Sequence, residues 1–221
     1  MSVRDQLDAA PASVRRTQAE RRAETEQRVL AATMTIIAEH GVQAVTAASV
    51  GETAGYSRGI VNHQFGTRLA LLKTVAETAQ SRFDPNPDAL EGRAHLVSLV
   101  ARYFSSVDSA PQDACVFLRL MTAALSGEEP ALQDVFVQRD KHFRRHVVEA
   151  LEHGQRDRSI RSDLDPSLTA ALIVGLLRGT ALQLQLAPET AALKALPGEA
   201  ARLVENALTP ARPGPGARRS N

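Results

Sequence analysis

Apolar residues recur along most of this chain at intervals of three and four, the spacing that lines one side of a helix. Val29, Leu30, Met34, Ile37 and Ala38 form such a stripe and predict a helix over about 24–40, closed by Gly41. Thr46 caps a short second helix with Ala47, Val50 and Ala54 on one side. Gly55 breaks it, and Ser57 caps a third helix running to about Gln64, with Ile60, Val61 and Phe65 turned inward. Thr67 then caps a fourth over about 68–82, built on Leu69, Leu72, Val75, Ala76 and Ala79. Phe83-Asp84-Pro85-Asn86-Pro87-Asp88 is a proline-broken connector.

Beyond it the same spacing predicts a helix over about 88–107 (Ala94, Val97, Val100, Ala101, Phe104) and another over 112–126 (Val116, Phe117, Leu120, Met121, Leu125). A long helix follows over 130–153 (Leu132, Val135, Phe136, Phe143, Val147, Leu151). Asp165-Pro166 opens a helix that reaches the segment before Pro188, and a last one spans about 198–208, with Ala201, Val204 and Leu208 inward. No stretch alternates with period two for long. The reading is all-α, with an N-terminal three-helix head, a connecting fourth helix and a larger helical body, about nine helices together. The divisions are a basic, disordered arm over 1–20, the head over 21–82, the body over 83–208 and a Pro-, Gly- and Arg-rich tail over 209–221.

Composition agrees: of 221 residues 43% are apolar, 4% are aromatic and none is Trp. With no run of eighteen apolar residues a membrane span is not expected, and the start lacks the apolar core of a secretory signal. The single Cys115, read as a small core residue, cannot form an internal disulfide, which fits a reducing cytoplasm. Net charge is only +1, but it is unevenly spread: +2 over residues 1–82, −4 over 83–208 and +3 in the tail. Arg15, Arg16, Arg21 and Arg22 precede the first helix, as part of a solvated tail or of an arm that follows a phosphate backbone.

The chemistry sits in the third helix. Arg58, Gly59, Asn62 and His63 fall at i, i+1, i+4 and i+5 and project outward together. Arg can pair with guanine, Asn with adenine, and Gly lets the backbone come close, which makes a helix-turn-helix reader of a major groove. An ordinary helical hairpin is the alternative. Arg68 lies in the first turn of its helix, against the dipole, which suggests an anion such as phosphate beside it.

The run AATMTIIAEHGVQAVTAASVGETAGYSRGIVNHQFGTRLALL resembles the DNA-binding head of the TetR family of bacterial transcriptional regulators. The matching punctuation is E-H-G, a Thr-capped helix, A-G-Y-S-x-G and F-G-T-R-x-x-L-L. The resemblance implies a ligand-responsive homodimer on a palindromic operator, usually a repressor. Carried over, Thr46 resembles a cap hydroxyl that meets phosphate, Ser57 (or merely an N-cap), Asn62 and His63 resemble backbone or base contacts, Arg58 reads a base, and Arg68 clamps phosphate. The sequence departs from the family where Asn62 replaces a common Tyr, Leu69 an acid and Gly51 an Ala.

From Pro166 to Pro188 the only charged residue is Arg178. A helix apolar nearly all round needs cover on two sides, one of them most simply a second copy; a buried core helix of a monomer is the alternative. Leu172, Gly175, Leu176, Gly179 and Leu182, with Val204 of the last helix, are the expected dimer face and resemble the family's four-helix interface. Tyr103, Phe104, Phe117, Met121, Phe136 and Phe143 are candidates for the wall of a pocket taking a small apolar effector.

His142, His146, Glu149 and His153 share one side of the long helix at metal-capable spacing, but are read as its partly exposed flank, with no metal and no cofactor expected. No nucleophile–base pair, phosphate loop or CxxC pair is visible, so an enzyme is not expected. An all-helical interaction module without DNA function is the remaining alternative.

Overall fold

The computed structural model describes residues 17–81, 91–187, 189–190 and 194–210. The expected 83–88 connector, most of the 1–20 arm and nearly all of the 209–221 tail fall outside them. Among the described residues there are nine α-helices and no strand: α1 (Gln18–His40), α2 (Ala47–Ala54), α3 (Arg58–Phe65), α4 (Arg68–Ser81), α5 (Gly92–Ser109), α6 (Pro111–Ser126), α7 (Gln133–Arg156), α8 (Pro166–Leu186) and α9 (Leu196–Leu208). Short 3-10 turns at Val42–Ala44 and Pro130–Leu132 precede α2 and α7.

Helix α1 starts six residues before the apolar stripe suggests. Thr17 and Glu20 form a reciprocal capping box, so the polar turn from Gln18 is held by its own caps rather than by burial. Arg21 and Arg22 therefore lie on a helix, not in an arm.

The α2–α3 junction is tight for a stated reason. Gly55 adopts φ 76°, ψ 30°, and the Tyr56 N–H donates to the Gly51 carbonyl at 2.8 Å, closing a Schellman cap. A Cβ on Gly51 would lie 2.7 Å from the Tyr56 carbonyl oxygen. Gly51 thus lets the turn fold flat against α2.

Two apolar cores form, and they do not divide where the connector does. The first holds Val29, Ile37, Val50, Val61, Leu72 and Val75 of the head together with Val116, Leu120, Ala123 and Ala124 of α6 and Leu132 of the following turn. The second gathers α5, α7, α8 and α9 around Leu96, Leu99, Leu151, Leu177 and Leu208. Helix α6 therefore belongs structurally to the head on one of its sides.

Several inward assignments shift. On α5 the buried line is Leu96, Leu99, Val100, Phe104 and Val107, while Ala94 and Ala101 are exposed. Ile60 and Leu125 were also expected inside, yet Ile60 is 42% exposed and Leu125 72%. Cys115 is half-buried beside a surface groove rather than sealed in the core. His95 of α5 is buried and its Nε2 lies 2.8 Å from Nε2 of His146, a polar link between α5 and α7. His153 instead meets Glu91 at 2.8 Å. The histidine ladder of α7 is thereby split between partners, and among the described residues no three His, Cys, Asp or Glu side chains are placed to share a metal ion.

Candidate functional site

The outward residues of α3 are presented as their spacing predicts: Arg58, Gly59, Asn62 and His63 are all exposed, and Val61 alone on this helix is fully buried. Gln64 ties α3 to α1 by donating to Glu26 Oε2 at 3.2 Å. Ile60 joins the exposed set. The inward assignment failed because an eight-residue helix anchored by Val61 and Phe65 has room for only one buried line. The exposed isoleucine lies one turn from His63, round the helix from Arg58 and Asn62, and adds a methyl-rich surface to that flank.

The two cap hydroxyls are both engaged and both at the surface. Thr46 Oγ1 accepts from the Ser49 N–H at 3.0 Å while Ser49 Oγ accepts from the Thr46 N–H at 3.0 Å. Ser57 Oγ accepts from the Ile60 N–H at 3.4 Å. Thr46 and Ser57 fix the N-terminal ends of α2 and α3 and lie at the surface.

Arg68 is placed differently from its expectation. Its Nε donates to the Val45 carbonyl at 2.7 Å, one Nη to the Val42 carbonyl at 2.8 Å and the other to Glu129 Oε1 at 2.5 Å. The anion that offsets its position at the α4 N-terminus is a carboxylate of the same chain. The side chain pins the loop before α2 to the turn after α6.

The body contains an open-mouthed cavity of about 80 Å3 between α5, α6, α7 and α8, with Ala79 of α4 at its edge. Of the six expected wall residues, Tyr103, Phe117 and Phe143 line it. Phe104 is sealed in the second core, Phe136 stands behind Phe117 edge-on at 5.5 Å, and Met121 is not in the wall. Missing from the expectation are its polar members, Ser106, Asp113, Arg139 and Arg178. The only signal for them is Arg178 itself, isolated in an otherwise uncharged helix. Burial and the neighbouring Arg178 charge both hold the Arg139 pKa below its ordinary value. Burial pushes the Tyr103 hydroxyl up, with both arginines opposing it.

Helix α6 connects cavity and head. Ala114, Phe117 and Leu118 face the cavity, whereas Val116, Leu120, Ala123 and Ala124 face the head's core. Arg119 donates to the Ile37 carbonyl at 2.9 Å and Gln112 to Thr35 Oγ1 at 3.2 Å, both on α1.

The outer side of α8 carries an uncovered apolar line. Leu168, Leu172, Gly175, Gly179, Leu182 and Leu186 recur at alternating steps of four and three, and the four leucines are 45–75% exposed. Nothing lies within 4 Å of where a Cβ on Gly175 or Gly179 would be. Leu176 packs against the second core instead, and Val204 is 4% exposed, so neither belongs to this surface. The large apolar residue that α9 leaves exposed is Leu203. By length and composition α8 could cross a membrane, but its inner side supplies Ala170, Ile173, Val174, Leu177 and Ala181 to the protein interior.

Comparison with known proteins follows the same division. Residues 29–75 match the profile of the bacterial regulatory proteins, tetR family, and residues 92–209 that of the BetI-type transcriptional repressor, C-terminal. The HTH-type transcriptional regulator CymR of Pseudomonas putida is 31% identical over 151 residues, spanning 63% of this chain and 69% of that one. A TetR-family regulator from Rhodococcus sp. superposes with a TM-score of 0.69 at 19% identity, over 85% of this chain and 100% of its own. NalD, the secondary repressor of the MexAB-OprM multidrug efflux pump in Pseudomonas aeruginosa, does so with 0.67 at 15% identity, over 85% and 97%.

Proposed function

The chain belongs to the TetR family of bacterial transcriptional regulators, and from that premise we propose that it is a homodimeric, cytoplasmic repressor that leaves a palindromic DNA operator when a small molecule fills the cavity of its body. It is a DNA-binding regulator and not an enzyme. Two heads related by a dimer axis present two α3 helices to successive major grooves about 34 Å apart, and a two-fold protein calls for a palindromic site. In this reading Arg58, Ile60 and Asn62 meet base edges, and Thr46, Ser57 and His63 border the phosphates. The uncovered line of α8 with Leu203 of α9 is the surface that joins the two copies. Its steps of four and three are those of helices packed in a left-handed bundle, and its glycines allow close approach.

The observation that supports ligand response is the two-sided α6. A molecule wedged against Ala114, Phe117 and Leu118 moves a helix whose opposite face is part of the head's own core. A packed core transmits such a shift instead of absorbing it. For release, the effector must bind better to the conformation in which the heads no longer match the two half-sites.

The test is fluorescence anisotropy of the full chain on DNA from upstream of its own gene, across a salt series, with selection from random DNA as the second source of sites. Sequence-selective binding that weakens steeply with salt supports the reading. Binding that stays weak and indifferent to sequence in both arms defeats it in favour of an interaction module.

A further inference from the structure

We infer that the second copy of this chain runs antiparallel along α8, with the two-fold axis at the level of Leu177, so that its Leu168 seats in a groove beside the head. The inference rests on the reading of the uncovered α8 line as the surface that joins two copies. It adds the direction and register of that contact and the residue that completes the groove.

The line is symmetric about its own midpoint. Leu168 and Leu186 each lie nine residues from Leu177, Leu172 and Leu182 five, and Gly175 and Gly179 two. Turned end for end about that level, the line falls on itself, leucine on leucine and glycine on glycine. Self-complementarity of this kind is what a two-fold contact asks of one surface. A parallel pair matches the same residues, so the direction is set by shape and by the heads.

The two ends of the line differ in shape. At the C-terminal end, Leu182 and Leu186 line a groove of about 400 Å3 together with Cys115 and Leu118 of α6 and with Gly41 and Val42, which follow α1. At the N-terminal end, Leu168 and Leu172 project from the surface, 68% and 74% exposed. An antiparallel pair sets each projecting end against the groove of the other copy. A parallel pair sets groove against groove and projection against projection, and leaves both uncovered.

The heads favour the same direction. The C-terminal end of α8 lies beside the head, where Leu182 and Leu186 share the groove with Gly41 and Val42. Leu168 and Leu186 are separated by about 27 Å of helix at 1.5 Å per residue. Antiparallel copies therefore carry their heads at opposite ends of the pair, about 27 Å apart before the width of the heads is added. That is the scale of the roughly 34 Å between successive major grooves. Parallel copies bring both heads to one end, at the separation of neighbouring helices, about 8–10 Å.

The seat of Leu168 matters for regulation because Leu118 lines both the groove and the effector cavity. The second copy thus rests on a wall residue of the cavity, and an effector that displaces Leu118 acts on the contact between copies as well as on the head.

Disulfide trapping tests the register. The full chain carrying Cys115→Ser, so that no native thiol competes, receives Leu168→Cys, Leu186→Cys or both, and is oxidised mildly. Both leucines are exposed, so the variants should fold, which circular dichroism checks. A bridge needs Cα atoms within about 7 Å. The expected result is covalent dimer on a non-reducing gel from the paired variant alone, because each single thiol lies about 27 Å from its own counterpart. Covalent dimer from either single variant overturns the antiparallel register. No covalent dimer from any variant, in a protein that sediments as a dimer, overturns the contact and leaves the dimer reading standing. Sedimentation of the parent as a monomer defeats that reading and the inference with it. Alkylation of native Cys115 by N-ethylmaleimide tests the seat itself. It should be slower by about tenfold or more in the parent than in folded, monomeric Leu172→Glu. Equal rates would show the groove open in the dimer and overturn the seating of Leu168.

Discussion

Arg68 offers the sharpest test of whether a residue at the edge of a reading surface contacts DNA or holds the protein together. Replacing it with Ala removes donors to the Val42 and Val45 carbonyls and the ion pair to Glu129. Hydrogen bonds from a charged donor contribute about 1.5–3 kcal/mol each when enclosed. The Arg68 side chain is 34% exposed, so water takes up part of the loss, whereas Glu129 at 13% gains little from it. The expected destabilisation is about 2–4 kcal/mol, read from urea unfolding at fixed protein concentration. Glu129→Ala should cost less, about 1–2 kcal/mol, because Arg68 keeps both carbonyls. The double variant should fall short of additivity by about 1 kcal/mol or more. DNA binding measured well below the unfolding midpoint supplies the decisive reading. Each phosphate neutralised contributes about 0.9 to the slope of log affinity against log salt. Arg68→Ala should leave that slope unchanged. A variant as stable as the parent, with its slope reduced by about 0.9 and with Glu129→Ala behaving normally, refutes the argument and restores Arg68 to the phosphates.

Five other substitutions probe the remaining surfaces. Gly51→Ala gains about 1 kcal/mol in helix propensity but forces backbone apart where the new carbon meets the Tyr56 carbonyl, so a net loss of about 1–2 kcal/mol is expected in chemical denaturation; an unchanged midpoint would show that Ala fits. Arg58→Ala should relax preference at one base position by about 1–3 kcal/mol, and Ile60→Ala should do so at a thymine, both read by competition with operators carrying single-base changes; uniform weakening on all sequences would make them backbone contacts. With the copies joined through α8 as proposed, Leu172→Glu should leave folded monomer in analytical ultracentrifugation, whereas Val204→Glu should unfold the chain, because Val204 is buried within the chain itself. A Leu172→Glu protein that remains dimeric moves the interface elsewhere.

The helices were legible because caps and breaks are local. Thr46, Gly55, Ser57 and Asp165 each announce a helix end through hydrogen bonds made within a few residues, and each does so in the structure. The start of α1 was missed for the complementary reason: Thr17 and Glu20 hold a polar turn that no apolar stripe marks. What periodicity could not decide is which of two neighbouring apolar lines is buried. On α5 the expected line Ala94–Val97–Val100/Ala101–Phe104 and the buried line Leu96–Leu99–Val100–Phe104–Val107 share Val100 and Phe104 but differ by a rotation, and only the packing of α7 and α9 selects between them. Val204 and Leu203 pose the same choice on α9. The exposed face of α3 was readable because it is defined by what the helix leaves outside. The role of Arg68 was not, since Glu129 is 61 residues away in the chain and no local pattern brings it near. The cavity's arginines escaped because a charged side chain on an amphipathic helix such as α7 reads as solvated by default.

The core that α6 shares with the head bears on chimeric regulators. Moving residues 17–81 onto the body of another family member would transplant a head without Val116, Leu120, Ala123, Ala124 and Leu132, its inner wall. The host's own α6 would have to mesh with Leu72, Val75 and Ala76 side chain by side chain. It would also need a carboxylate where Glu129 receives Arg68. A graft that carries the inner face of α6 and Glu129 along with the head keeps both the packing and the pin. One cut at the proline-rich connector keeps neither, so the DNA-reading head of this protein is not an interchangeable part.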